Sequence, residues 1–236
     1  MEQMQHQMMG YDRTSIMFSP DGRLLQVEYA KKAVKQGTSA IGIVCKDGVL
    51  MVADKRMTDK LIVSRSVEKV FQVDDHIAAT STGFVMDGRI LIERAQLVAQ
   101  QHRVVNDEPV DVITLVKDIA DIKQMYTQMG GARPFGVSIM FAGIDEKPCL
   151  FVTDPTGIFF EYKATAIGEA EQEIKDMLNK YYKDNITIDE GLKLALRALK
   201  TVLNKNFSLD RIDGAYISLK DKTFSRFGKD RILKSI

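Results

Sequence analysis

The side chains able to ligate metals, carry electrons or act as nucleophiles are few, and their spacing organises little chemistry. Cys45 and Cys149 stand far apart, and neither belongs to the Cys-x-x-Cys pair that redox and zinc sites use. They read as reduced, buried thiols of a cytosolic protein. His6, His76 and His102 are too dispersed to form a local ligand pair, which argues against zinc. His76 follows Asp74 and Asp75, and this polar cluster predicts a surface turn. Neither the Gly-x-x-x-x-Gly-Lys-Ser/Thr of a phosphate-binding loop nor the Gly-x-Gly-x-x-Gly of a dinucleotide turn occurs, so nucleotide binding has no support. No cofactor and no metal are expected.

Composition bounds the rest. Hydrophobic residues make up 45% and charged residues 28% of the 236 positions, enough to build a large core without metal or disulfide support. Thirty-three basic residues against thirty-two acidic ones give a formal net charge of +1, so no global field draws the chain toward nucleic acid or anionic lipid. Runs of about 18 apolar residues are absent. Met1–Gly10 is rich in glutamine and methionine and lacks an apolar signal core, so the expectation is a cytoplasmic protein that spans no membrane.

Chain order follows from periodicity. Met1–Gly10 shows neither strand nor helix period and is expected to be mobile. Ser19 followed by Pro20 predicts a capped helix start, continued by Leu24, Val27, Ala30 and Val34. Between Thr38 and Ala53 two apolar runs flank Asp47-Gly48, a tight hairpin signal. Leu61–Val63, Val70–Val73 and His76–Thr82 predict short strands. Met86, Ile90, Leu97 and Val98 mark a helix, and Ile113, Val116, Ala120 and Gln124 a second that stops at Gly130-Gly131 before Pro134. Three strands follow over 135–142, 148–153 and 158–162, the last two joined by Asp154-Pro155-Thr156-Gly157. Ile174, Met177, Leu178 and Tyr181, then Leu192, Ala195, Leu196, Leu199 and Leu203, predict another helix pair. A hairpin of 212–219 and 223–227 across Lys220-Asp221-Lys222 follows, before a short charged helical tail. Without strict strand-helix alternation a parallel sheet is excluded, and two antiparallel sheets between helix layers fit best. No repeat or linker marks a second domain.

Tyr11-Asp12-Arg13, Phe18-Ser19-Pro20-Asp21-Gly22-Arg23-Leu24 and Gln26-Val27-Glu28-Tyr29-Ala30 together resemble the N-terminal signature of proteasome α subunits. Arg133-Pro134-Phe135-Gly136-Val137-Ser138 and Lys163-Ala164-Thr165-Ala166-Ile167-Gly168 extend the resemblance, which is to the archaeal type and spans essentially the whole chain. It implies an α+β fold, the four-layer α/β/β/α sandwich of N-terminal-nucleophile hydrolases. One domain would cover 1–236, with 1–13 a flexible gate tail and 19–35 the N-terminal helix.

Fold alone does not settle activity. In the related β subunits a mature N-terminal threonine is activated by its own α-amine. The segment Thr38-Ser39-Ala40-Ile41-Gly42-Ile43 resembles that start, which places Thr38 at the nucleophile position; Asp54 matches a carboxylate of the β-type site, and Val70 falls where that site carries lysine. Thr38 is internal, so its nitrogen is an amide and no base. The resemblance therefore implies a non-catalytic subunit.

Its expected partners are six further copies in a homo-heptameric ring, a proteolytic β ring, a regulatory ATPase or other activator docking by C-terminal tails, and unfolded polypeptide substrates. By the family pattern Tyr11, Asp12, Pro20 and Tyr29, with Arg13 beside them, hold the gate tails. Asp12 can accept a hydrogen bond from a tyrosine hydroxyl, and tyrosine rings pack well on Pro20. Lys69 occupies the position that receives an activator's terminal carboxylate, in a pocket to which Leu24, Gly37 and Phe84 contribute. Met129, Gly130, Gly131 and Arg133 fall at the channel constriction. Two other readings compete: a threonine protease released by cleavage before Thr38, and a sandwich that binds a small molecule.

Overall fold

The computed structural model describes residues 10–57, 59 and 61–236. The expected mobile tail therefore lies mostly outside the described residues. Among the described residues, ten strands form two five-stranded sheets, every pairing antiparallel. The first sheet runs in the order β10-β9-β2-β1-β8, with β1 Ala40–Cys45, β2 Gly48–Asp54, β8 Ala164–Ile167, β9 Ile212–Ser218 and β10 Phe224–Arg226. The second runs β3-β4-β5-β6-β7, with β3 Val70–Asp74, β4 Ile77–Gly83, β5 Val137–Ile144, β6 Pro148–Thr153 and β7 Phe159–Glu161.

Helices α2 (Val85–Asn106) and α3 (Val112–Gln128) cover the second sheet, while α4 (Glu171–Tyr181) and α5 (Ile188–Leu203) cover the first. Helix α1 (Leu25–Gln36) lies against β4 and β5, and α6 (Lys229–Leu233) ends the chain. Three apolar layers result. Val49, Met51, Met140 and Leu150 fill the space between the sheets; Ile41, Ile43, Leu192 and Leu196 lie under α5; Leu91, Leu115, Ile119 and Phe141 lie under α2 and α3. Burial of both faces explains why β2 and β5 are apolar without alternation.

Four expectations require correction. Ser19 does not start a helix: its carbonyl accepts from Gly22 N–H, its hydroxyl accepts from Arg23 N–H at 3.2 Å, and Gly22 takes φ +74°. Residues 19–23 therefore form a turn, and α1 begins at Leu25. Leu61–Val63 is no strand, since the three side chains are 38–89% exposed and no strand among the described residues pairs with them. His76 is buried, with Nε2 2.9 Å from the Val110 carbonyl. The hairpin at Asp47-Gly48 exists, but its loop pair is Lys46-Asp47, because Cys45 already faces Gly48. Asp47 instead turns its carboxylate to the first N–H of α5, at 2.9 Å.

Candidate functional site

Thr38 sits where the chain leaves α1 and enters β1, and its nitrogen belongs to the peptide bond after Gly37. The backbone on both sides is laced into the sandwich. Gly37 O accepts from Glu169 N–H at 2.7 Å, Thr38 O from Thr82 Oγ1 at 2.7 Å, and Ser39 O from Asp54 N–H at 2.9 Å. A Cβ on Gly37 would overlap Gly83 N and Thr82 Oγ1, so only glycine lets the end of α1 approach β4 this closely. The buried Thr38 Oγ1 has no hydrogen-bond partner among the described residues.

Asp54 ends β2 and is 1% exposed. Its carboxylate is gripped in parallel by Arg211, with Nε to Oδ1 at 2.8 Å and Nη2 to Oδ2 at 2.6 Å. Val70 is wholly buried in the layer between the sheets. Lys69, the residue before Val70, is a further cation within electrostatic reach of Asp54. Burial lowers the Lys69 ammonium to about 8, Asp54 opposes that shift, and Arg56 adds to it. Lys69 is set in place by its backbone: its N–H donates to Asp213 Oδ2 at 2.7 Å and its carbonyl accepts from Thr80 Oγ1 at 2.8 Å.

The N-terminal residues gather in part. Tyr29 donates its hydroxyl to Asp12 Oδ2 at 3.3 Å, and Gln26 donates to the Asp12 carbonyl. Arg13 closes a backbone turn onto Gly10 O at 3.1 Å. Asp12 and Tyr29 thus meet across α1, and Pro20 stands in the turn that precedes it. Ser15 donates to the Met129 carbonyl at 3.4 Å, tying the same segment to the loop after α3.

Of the residues expected to share a docking pocket, Gly37 packs on Gly83, the residue before Phe84, which is 51% exposed. Leu24 lies before the first residue of α1 and Gly37 after its last, separated by 12 helical residues or about 18 Å.

Met129, Gly130 and Gly131 leave α3 with Gly131 at φ +83°. Arg133 is anchored by Asp87 through two bonds of 2.6 Å, and Asp87 also accepts from Gly136 N–H at 2.8 Å. Burial pushes the Asp87 carboxyl up, but the Arg133 and Gly136 hydrogen bonds outweigh it and hold the group below the usual carboxylate range. Sequence reading named Arg133 but not Asp87, Arg211 or Asp213. All three act over long separations that leave no local spacing signal.

An α/β/β/α sandwich with a threonine entering its first strand defines a class, and the comparisons name it. Residues 34–217 match the family model described as Proteasome subunit, and the chain belongs to that family. Within it the chain is of the alpha type. Residues 11–33 match the model of the N-terminal signature that marks A-type proteasome subunits. Proteins described as Proteasome subunit alpha are similar over nearly the whole chain. The Methanocaldococcus jannaschii protein is 51% identical over 96% of this chain and 87% of its own length. Those of Thermococcus sibiricus and Archaeoglobus fulgidus are 48% and 46% identical, over 96% and 95% of this chain and 87% and 91% of theirs.

Proposed function

We propose that this subunit is non-catalytic, that it builds the outer ring of a cytoplasmic proteasome core particle, and that it gates passage of unfolded polypeptides to a β ring. The observation that carries the reading is the amide at Thr38. A threonine hydroxyl becomes a nucleophile only when a base takes its proton, and an amide lone pair delocalised into a carbonyl cannot. The hydrogen bonds around Gly37, Thr38 and Ser39 also oppose cleavage there, since a protease would have to cut inside the laced segment.

Gating rests on the stem of the tail. Asp12 is held to α1 through Tyr29 and Gln26, so the residues before it start from a fixed point. Several tails confined around one axis reach a high local concentration, and weak contacts then obstruct a pore.

Activator docking is read onto Lys69, whose ammonium suits a terminal carboxylate. Leu24 and Gly37 lie at opposite ends of α1, so a pocket that uses both draws them from neighbouring copies of a ring. Seven copies and an ATPase activator complete the proposal.

The test is exposure of the purified chain to an electrophilic threonine-protease inhibitor, read by intact mass. The reading expects unmodified chain retaining Tyr11. An adduct at Thr38 on a chain beginning there supports the protease instead.

A further inference from the structure

The outer face of α5 concentrates positive charge in a molecule whose formal net charge is only +1. Two adjoining grooves of about 630 and 510 Å³ share Lys193 and Arg197; the first continues to Lys46 and Lys183, the second to Lys200 and Lys234. Lys193, Arg197 and Lys200 follow i, i+4, i+7 spacing and are exposed, forming a row about 10 Å long. The five lysines enter no ion pair among the described residues.

Glu190 is the one acidic side chain in these linings, and it is already engaged. Thr187 donates to its Oε2 from the backbone at 2.9 Å and from the hydroxyl at 2.8 Å, in a capping box that starts α5. The face therefore carries far more cations than local counter-charge. The lining mixes polar and apolar surface, with Ile186, Leu194 and Leu196 buried beneath the row and the half-exposed Ile236 at one end.

We propose that this face docks an acidic polypeptide segment, one whose carboxylates repeat at helical spacing among apolar side chains. Charge complementarity selects an anionic partner, and the mixed lining selects a peptide. A nucleic acid fits less well. Among the described residues the one aromatic ring lining either groove is Tyr181, already stacked on by Arg197 at 4.8 Å and Lys180 at 5.2 Å, whereas single-stranded nucleic acid uses a series of free rings. None of the residues assigned to gate, docking or constriction lines these grooves, so the inference stands apart from the proposed function.

The experiment is fluorescence anisotropy of the assembled subunit with a fluorescein-labelled peptide of glutamate and leucine in heptad spacing, about 20 residues long. Binding is expected, weakening severalfold as salt rises from about 50 to about 300 mM. The pair Lys193→Glu and Arg197→Glu is expected to weaken it by about tenfold or more. Lys117→Glu with Lys147→Glu, an equal charge change on exposed positions elsewhere, is expected to leave it unchanged. Absence of binding at low salt, equal loss in both pairs, or tighter binding of a labelled oligothymidylate than of the peptide would each overturn the proposal.

Discussion

Arg211 closes on Asp54 as a two-pronged clamp, with parallel bonds of 2.8 and 2.6 Å to a carboxylate only 1% exposed. The end of β2 is thereby tied to the residue just before β9, and a carboxylate that could have served chemistry is committed to structure.

Removing that cation strands a buried charge. Arg211→Ala is expected to cost about 3 to 5 kcal/mol, and Arg211→Lys less, because a lysine keeps the charge but loses the planar fork. Denaturant unfolding of the folded subunit measures both.

Lys69 gives a pH dependence. Its ammonium is lowered to about 8 by burial, so it is charged at neutral pH and loses its proton as pH rises through that value. If it receives an activator's carboxylate, gate opening by activator tails should fall across that range, while basal peptide hydrolysis should not. Lys69→Ala should abolish stimulation without preventing ring assembly. Peptidase assays with and without activator, at several pH values, read both.

Asp87 links acid to the constriction. Its folded-state value is depressed, so the stability it contributes is present above the unfolded carboxylate value and lost as pH falls through the folded one. Once pH falls below that depressed folded-state value, the Arg133 latch should open and the loop holding Met129 and Gly130 should loosen. In Asp87→Asn that acid-dependent step should be missing, as hydrogen exchange of residues 129–136 would show.

Lys123 gives a slope of the same sign in a higher pH range. It is fully buried in α3, donates to Thr153 O at 3.1 Å, and is pushed down to about 7 by burial against the pull of Asp154. Between about 7 and its ordinary 10.5 the unfolded chain binds the proton and the folded chain does not, so stability should rise with pH there. Lys123→Met should be more stable at neutral pH and should lack that rise. Urea titrations at stepped pH decide it.

The fold was readable wherever local pattern suffices. Alternating helix pairs and short strands, with turn residues at Asp154–Gly157 and around Asp47, place nearly every element. Size misled on α2: Met86, Ile90 and Leu97 point outward, whereas Gly88, Ala95 and Ala99 face the sheet, where small residues permit close approach. Leu61–Val63 looked like a strand because its side chains are apolar, yet no partner strand among the described residues reaches it. His76 looked superficial beside two acids, but Asp74 is buried against Arg103 at 2.6 Å. The candidate site residues were named through motif resemblance. Their fastenings to Asp87, Arg211 and Asp213 were not, since tertiary pairing leaves no local periodicity.

The most direct measurement is peptide hydrolysis by the particle reconstituted from this chain and its β partner, before and after deletion of residues 1–13. A gate predicts a marked rise in peptidase rate on deletion, with ring assembly intact and no hydrolysis by the α chain alone. An unchanged rate in fully assembled particles would contradict it.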